Sequence, residues 1–429
     1  MLYFKIIKNN FRNLTVISLL VISSLILIVA CGESRAKIET PLKIGMLNSM
    51  TGDLSDFGKA HKRSAELAIE HINAVGGVGG FPVELIIKDT QTNATVGVDA
   101  ANALIAEGVP AYVGALASSV TMPVATTVSS QKNIVQISAA STSPAITALA
   151  DNDFLFRTTV SDAFQGQVLA RLAKENYSSA GVIYVNNPYG EGLAKQFKTT
   201  FEAEGGKVTA MVPHEQTQPS YKSELSKATA GKPDVLVALS YPESAEVYLR
   251  EALEGNYIKT FLFADGTKSP DMFAKLGWDK LEGSWGTNPG SPKTGSKTKF
   301  IIEYEKKYGE KPPLPYMGET YDAVVLIALA AAKGNSTTDG TAIRDALRSV
   351  ACSVGERVGP GINNVDDKTS GLKRGFVLAH ATEKDRWHKV DYEGAAGKQC
   401  FDANGDVAGD IEYWQIEGGK IVSKGFRNK

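Results

Sequence analysis

The chain has 429 residues, a formal net charge of −1 and a charged fraction of 22%. This length allows two or more domains with a large buried core. The balanced charge argues against a nucleic-acid-binding protein, which would normally carry an excess of basic residues. The hydrophobic fraction of 43% is ordinary for a globular protein.

The N-terminal segment has the features of an export signal. A basic start precedes an apolar stretch over residues 14–30, which is short for a membrane-spanning helix. The stretch ends in Ile-Val-Ala-Cys-Gly, which resembles a bacterial lipobox and implies cleavage before Cys31 and lipid attachment at that residue. The alternative is an uncleaved N-terminal anchor. We therefore predict a signal peptide over 1–30 and a polar tether over 31–40, with the exported protein held at a membrane in the periplasm or at the cell surface.

Strand and helix patterns alternate from residue 42 onward. Short apolar runs predict strands, and apolar residues that recur every three or four positions predict helices. The first unit has predicted strands at 42–47, 83–88, 111–115 and 134–137, and predicted helices at 57–74 and 95–107. This order is typical of a parallel sheet with helices on both faces.

Two predicted strands in this unit end in the same sequence pattern. Residues 111–123 and 133–144 each begin as an apolar run and change to Ser and Thr just before a Pro. Because Pro suits the first turn of a helix, each stretch is predicted to be a strand that feeds a helix through hydroxyl-bearing residues. Helix N-termini of this kind hold anions, carboxylates included. The sequence therefore predicts a cleft for a small anionic molecule.

The same alternation restarts after Phe156-Arg157. The predicted strands are 180–185, 208–212, 235–239 and 260–264, and the predicted helices are 166–176, 190–204, 221–230 and 245–254. Helices at 298–308 and 321–333 follow without enough strands for a third sheet. We therefore predict two α/β units, with the second inserted into the first.

The C-terminal third contains two further cysteines, Cys352 and Cys400. Because an exported chain meets an oxidising compartment, a disulfide between them is their simplest use, and two separate buried thiols are the alternative. The Gly-rich, charged region 350–389 gives no clear pattern, and we treat it as a long excursion of the first unit. None of the five His residues lies at a ligand-like spacing from another, so we predict no metal site and no cofactor.

The sequence offers little support for an enzyme. It contains no Gly-x-Ser-x-Gly elbow, and the Gly-rich run 76–80 follows a predicted helix instead of opening one, unlike a dinucleotide-binding loop. Asp402, Asn404 and Asp406 are spaced as in a calcium loop, but the later bidentate Glu is missing, so a structural turn is favoured. A binding protein without catalytic activity is the better reading.

Several short motifs, in their order and spacing, resemble the periplasmic solute-binding proteins of ABC transporters that take up branched-chain amino acids and related compounds. The matching features span nearly the whole mature chain: 44–52, 57–58, 68–77, the two hydroxyl-rich stretches, 156–157, 189–192, 241–243, 392–394, 401–406 and 411–416. Each motif is weak by itself, and the resemblance depends on their combination.

The resemblance implies an α/β fold with two Rossmann-like lobes, each with a parallel sheet, that close around a three-stranded hinge (type I). It implies a first lobe at 41–157 and 286–408 and a second lobe at 158–285 and 409–429. It also implies a monomer that binds an amino acid or similar carboxylate and passes it to an ABC permease in the inner membrane. Amides, urea and aromatic carboxylates are alternative ligands, and a lipid-anchored sensor is the alternative function.

The resemblance also assigns the two ends of a bound amino acid. It places the ligand carboxylate on Ser118 and Thr142, with Ser141 beside them, and the ligand ammonium on the Ala140 carbonyl and Asp265. Asp265 follows a predicted strand, whose end would face the crevice of an α/β sheet. The family usually has Glu at this position, so the shorter Asp would change the ligand position or the closure.

The pocket for the ligand side chain is implied at Phe57, Tyr189 and Tyr241. Phe57 stands where Tyr is common in the family, which predicts a more apolar wall. Each site residue also has a purely structural reading. Ser118 and Thr142 would then cap helices, Asp265 would form an Asx turn, and the aromatic residues would pack the lobes.

Overall fold

The computed structural model describes residues 38–364, 370–380 and 389–428. The expected signal peptide, Cys31 as the expected lipid-attachment residue, and most of the expected tether lie outside the described residues. Among the residues that are described, no helix combines the length and the apolar character needed to cross a membrane.

The first sheet has five parallel strands in the order β2-β1-β3-β4-β5. Its strands are β1 (Lys43–Asn48), β2 (Glu84–Asp89), β3 (Ala111–Gly114), β4 (Val135–Ser138) and β5 (Leu155–Arg157). Alternate side chains of β1 enter two separate cores, since Ile44 and Met46 pack on one face and Leu47 on the other. This two-sided burial explains why the strands read as continuous apolar runs.

The second sheet has seven strands in the order β15-β14-β10-β9-β8-β6-β7. Strands β6 to β10 are parallel, and β14 and β15 add an antiparallel edge. The strands are β6 (Ser179–Val185), β7 (Lys207–His214), β8 (Val235–Leu239), β9 (Phe261–Phe263), β10 (Trp285–Gly290), β14 (Asp410–Glu417) and β15 (Lys420–Arg427). The lobe boundary expected near residues 285–286 therefore falls at the start of β10, which stays in this sheet through Gly290.

Helices cover both sheets and separate them from solvent. They are α1 (Ser55–Ala74), α2 (Ala94–Ala106), α3 (Ser118–Val124), α4 (Asp162–Asn176), α5 (Pro188–Ala203), α6 (Lys222–Thr229), α7 (Pro242–Glu254), α8 (Pro270–Leu276), α9 (Gly295–Tyr308), α10 (Met317–Gly334), α11 (Gly340–Ala351) and α12 (Leu372–Ala379). Helix α10 is buried almost throughout and contacts α1 and α11.

The proline expected in the first turn of α3 lies elsewhere. The helix begins at Ser118, directly after the extended Ala117, and Pro123 is its sixth residue. Because proline lacks an N–H, the regular bonding pattern is interrupted, and the chain continues as a π-helical turn over Ala125–Ser129. Pro144, in contrast, is the first residue of a 3₁₀ helix over Pro144–Ala148, as predicted.

The chain passes between the two sheets three times: after β5, after β10 and before β14. Arg157, at the end of β5, is fully buried there. Its Nε and Nη2 atoms donate to the two carboxylate oxygens of Asp406, over 2.5 and 2.8 Å, and its Nη1 donates to the carbonyl of Ser143. Asp406 belongs to the tight turn 402–406, which Asp402 closes by accepting from the N–H groups of Asn404 and Asp406.

The described parts of the region without a predicted pattern, 350–364 and 370–380, pack on the core that contains Ile44 and Met46. They contain the short strand β11 (Glu356–Val358) and α12, and β11 pairs with β12 (Val390–Gly394), which in turn pairs with β13 (Gly397–Lys398). Asp322 of α10 holds this addition by accepting hydrogen bonds from the N–H groups of Ala395 and Ala396. Cys352 and Cys400 are joined by a disulfide across a sequence separation of 48 residues.

Replacing both Cys352 and Cys400 with Ser is expected to lower the free energy of unfolding by about 3 kcal/mol, because the cross-link restricts the unfolded chain. Urea unfolding of the variant and the wild type, both without reductant, would measure the difference. Reduced wild-type protein is the control and should match the variant. An unchanged urea midpoint in the variant would show that the bond does not contribute to stability.

Candidate functional site

A cavity lies where the carboxyl ends of the strands of both sheets face each other. Ten residues line this cavity, which we call the cleft cavity: Leu54, Phe57, Leu116, Ser118, Ala140, Tyr189, Tyr241, Asp265, Gly266 and Tyr316. Most of them follow a strand within a few residues, as expected for ligand crevices of α/β sheets. The structure thus brings together six of the eight residues predicted from the sequence and adds Leu54, Leu116, Gly266 and Tyr316.

The other two predicted residues, Ser141 and Thr142, use their hydroxyl groups within the protein. The Ser141 hydroxyl lies 2.7 Å from that of Thr121 and 3.1 Å from the carbonyl oxygen of Leu116. The Thr142 hydroxyl donates to Asp162 Oδ2 over 2.8 Å. Neither residue lines the cleft cavity, so both shape the turn that carries Ala140.

Ser118 occupies the first position of α3 and is buried at the cavity wall. Its oxygen accepts a hydrogen bond of 3.3 Å from the N–H of Ser143, which links the two hydroxyl-rich turns. Because a hydroxyl has one hydrogen to donate besides its acceptor capacity, Ser118 can still donate to an anionic group in the cavity.

Asp265 lies two residues after the end of β9 and begins a 3₁₀ turn over Asp265–Thr267. Its Oδ1 accepts hydrogen bonds from Gln165 Nε2 at 2.8 Å and from the Tyr189 hydroxyl at 3.0 Å. Burial raises the pKa of this carboxyl group, and hydrogen bonds from neighbouring side chains partly oppose that rise. The side chain is only 3% exposed.

Asp162 places a second buried carboxyl group close to Asp265. Burial raises its pKa well above the ordinary value, and the charge of Asp265 raises it further. Asp162 Oδ1 and Gln165 Oε1 are buried acceptors without a hydrogen-bond partner among the described residues. Two buried carboxyl groups with open acceptor capacity form a site that a bound cation would stabilise.

Tyr316 was not predicted from the sequence. It precedes α10 in a left-handed conformation with φ of 66°, which bulky residues rarely adopt. Its buried hydroxyl lies near Asp265 but lacks a hydrogen bond of good geometry among the described residues. Burial raises the pKa of this hydroxyl well above its ordinary value, and the charge of Asp265 adds to the rise.

Aromatic and aliphatic side chains form the rest of the wall. The rings of Tyr189 and Tyr241 stack with centroids 5.4 Å apart and an interplanar angle of 11°. Phe57 lies among the apolar residues of the same core and is 2% exposed. Gly266 allows the Tyr189 hydroxyl to approach the backbone, since a Cβ at this position would lie 2.8 Å from it.

Hydrogen bonds across the cleft join segments that follow strands of the first sheet to segments that follow strands of the second sheet. The Ser143 hydroxyl donates to the Pro188 carbonyl over 2.7 Å. Farther along the cleft, the Ser244 hydroxyl donates to Asp53 Oδ2 over 2.7 Å, and the Ser55 hydroxyl donates to Glu243 over 3.0 Å. The arrangement is a closed one, in which these bonds join the two sides of the cleft.

Comparisons with known proteins agree with this architecture. A leucine-, isoleucine-, valine-, threonine- and alanine-binding protein of Pseudomonas aeruginosa is 29% identical over 311 residues, which are 72% of this chain and 82% of that protein. Two crystal structures show the same two-lobed fold. A leucine binding protein, LivK, of Thermotoga maritima has a TM-score of 0.73 and 23% identity, covering 90% of this chain and 99% of that one.

The second structure is a solute-binding protein of an ABC transporter of R. palustris in complex with benzoate. Its TM-score is 0.72 at 17% identity, and the match covers 90% of this chain and 96% of that one. A family model described as periplasmic binding protein matches residues 41–385. The chain therefore belongs to the periplasmic binding protein family.

Proposed function

We propose that this protein is the extracytoplasmic, lipid-anchored binding component of an ABC importer and that it closes on a free amino acid, branched-chain or related. The observation that carries the proposal is the buried carboxyl group of Asp265 at a cavity that also has a hydroxyl donor and apolar walls, with the buried carboxyl group of Asp162 close to Asp265. An amino acid zwitterion offers the matching cation, anion and apolar group. Each charged end needs strong partners once it leaves water.

In the proposed complex, the ligand ammonium lies at Asp265 and the Ala140 carbonyl, and the carboxyl group of Asp162 lies close to Asp265. The ligand carboxylate accepts from Ser118, with Ser141 and Thr142 shaping the turn beside it. Phe57, Tyr189 and Tyr241 contact the side chain of the ligand, together with Leu54 and Leu116. These groups lie in segments that follow strands of both sheets. A ligand that contacts all of them therefore stabilises the closed state.

The lipid anchor at Cys31 and the permease partner belong to the same proposal. Their support is the lipobox-like segment and the family of the chain. We propose binding and delivery without chemical conversion, since the similar proteins are named for what they bind. Mass spectrometry of the protein made in a bacterial host tests the anchor, by the mass of a lipid-modified N-terminal peptide that begins at Cys31.

Calorimetric titration with amino acids, short amides and aromatic carboxylates tests the ligand class. We expect at least one amino acid to bind, and its unchanged recovery after incubation would agree with binding alone. If no zwitterion binds while an aromatic carboxylate does, the amino-acid assignment is wrong and the protein is a carboxylate carrier.

Ser118→Ala is expected to weaken the binding of that amino acid by about 10- to 100-fold, because a hydrogen bond to a charged group contributes about 1.5–3 kcal/mol. The matched control is Ser119→Ala, which changes the next residue of α3 without touching the cleft cavity. Titration calorimetry measures both variants. Equal affinities in the two variants would mean that Ser118 only links the turns.

A further inference from the structure

A second cavity of about 290 Å³ lies beside the passages between the two sheets. Strands β10 and β14 supply one side of it, and α9 with the segment 311–319 supplies the other. We call it the hinge cavity. Its polar lining residues are Lys268, Asn288, Ser291, Lys297, Lys311, Glu319 and Glu412. Its volume is at the lower end of the range of small-molecule pockets, roughly 300–1,000 Å³.

Three lysines and two glutamates line the hinge cavity, so one positive charge is left over when all five are ionised. Lys268 donates to Asn288 Oδ1 over 2.8 Å and forms an ion pair with Glu412 at 2.9 Å. Lys297 donates to the Ser291 carbonyl and forms no ion pair within the described part of the chain. Burial lowers the pKa of its ammonium group. The charges of Glu319 and Glu412 oppose that shift without cancelling it, and an anion in the cavity would stabilise the charged ammonium further.

A polar donor and an apolar wall accompany this cation. The Ser291 hydroxyl is buried, with 9% of the residue exposed, and has no hydrogen-bond partner among the described residues. Phe300, Leu314 and Met317 line the same cavity with apolar surface. The combination fits a carboxylate head group attached to a short hydrocarbon body.

We propose that the hinge cavity is a second ligand site, which binds a small organic monocarboxylate with its head group on Lys297 and Ser291. This site is separate from the cleft cavity and does not depend on which ligand the cleft takes. A monoanion suits it because Lys268 and Glu412 already neutralise each other, and Lys297 and Lys311 together with Glu319 leave a single positive charge to match.

Two segments connect the hinge cavity with the cleft cavity. Tyr316 lines both of them. Lys268 of the hinge cavity follows directly on the 3₁₀ turn that begins with Asp265 of the cleft cavity. An occupant that contacts these segments therefore changes the affinity of the cleft, and by linkage a cleft ligand changes the affinity of the hinge site by the same factor.

Glu319 makes the binding dependent on pH. Burial raises the pKa of its carboxyl group to about 7, against the effect of Lys297. Below that pH the neutral group can donate to a carboxylate, and above it the charged group repels one. The affinity for a monocarboxylate should therefore fall as the pH rises from 6 to 8. The other charged or titratable groups around Glu319 are Lys268, Lys297, Lys311, Asp322 and Glu412.

Titration of the full chain with hexanoate, followed by ligand-observed NMR, tests the proposal. We expect hexanoate to bind, and Lys297→Met to lower its affinity at least about tenfold, since a charge-assisted hydrogen bond is lost while the aliphatic stem is kept. Ser291→Ala should lower it by a smaller factor. This second variant keeps the proposal testable if Lys297→Met does not fold. Hexylamine, of equal length and opposite charge, should bind more weakly than hexanoate.

Ser118→Ala is the control that separates this site from the cleft, because it alters only the cleft cavity. Hexanoate binding that is lost in Ser118→Ala and kept in Lys297→Met would place hexanoate in the cleft and overturn the proposal. Absence of hexanoate binding, or equal binding of hexylamine, would also overturn it. Failure of every amino acid to bind would contradict the proposed function and leave this test unaffected.

Discussion

Asp265→Asn is expected to weaken the binding of the amino acid by at least about a hundredfold, which corresponds to about 2.7 kcal/mol. The substitution removes the negative charge that faces the ligand ammonium and leaves that ammonium buried without its partner. Asn keeps the shape of the side chain, and its carbonyl oxygen can still accept from Gln165 and Tyr189 as Oδ1 of Asp265 does. Titration calorimetry with the tightest-binding amino acid gives the ratio of affinities.

The control for this variant is the same ligand without its amino group. The deaminated carboxylate should bind wild type and Asp265→Asn about equally, because it has no ammonium to lose contact with. If both ligands weaken to the same extent, Asp265 holds the turn after β9 and does not recognise the ligand. A thermal unfolding curve of the variant would then reveal the structural loss directly.

Arg157→Met is expected to lower the free energy of unfolding by about 4 kcal/mol, because removing one partner leaves a largely buried carboxylate unpaired. The Arg157 side chain is 1% exposed and that of Asp406 is 14% exposed. The variant also leaves the carbonyl groups of Ser141 and Ser143 without their donor. Urea unfolding at neutral pH measures the change.

Arg171→Met offers a matched control in an exposed ion pair. Arg171 contacts Glu204 at 3.4 Å, and the two side chains are 57% and 47% exposed. Exposed pairs contribute at most about 1 kcal/mol, so this variant should unfold close to the wild type. If the two variants lost similar amounts of folding stability, the buried Arg157–Asp406 pair would contribute no more to stability than an exposed ion pair does.

The alternation of strands and helices could be predicted because each buried strand is a continuous apolar run. Strand β8 (Val235–Leu239) has the predicted bounds, since all five of its residues are buried and apolar. Strand β10 could not be predicted. Its sequence, Trp-Gly-Thr-Asn-Pro-Gly, has little strand character, and it becomes a strand because β9 and β14 pair with it on both sides.

The candidate site was predictable where its residues follow strands, and less so elsewhere. Ser118, Ala140 and Asp265 stand just after apolar runs, so their position at the cleft follows from the sheet. Asp162 lies in the first turn of α4, ahead of the start predicted for that helix, and Tyr316 lies in an irregular segment. Asp162 was not predicted as a site residue, so the hydrogen bond from the Thr142 hydroxyl to its carboxylate was not predicted either.

A crystal structure of the chain with its tightest-binding amino acid tests the central claim most directly. The account predicts the ligand in the cleft cavity, with its ammonium nitrogen about 3 Å from the Asp265 carboxylate and the Ala140 carbonyl. It predicts the ligand carboxylate on Ser118 and the side chain between Phe57 and Tyr189. An ammonium that faces Ser118, or an amino acid bound outside the cleft cavity, would contradict it.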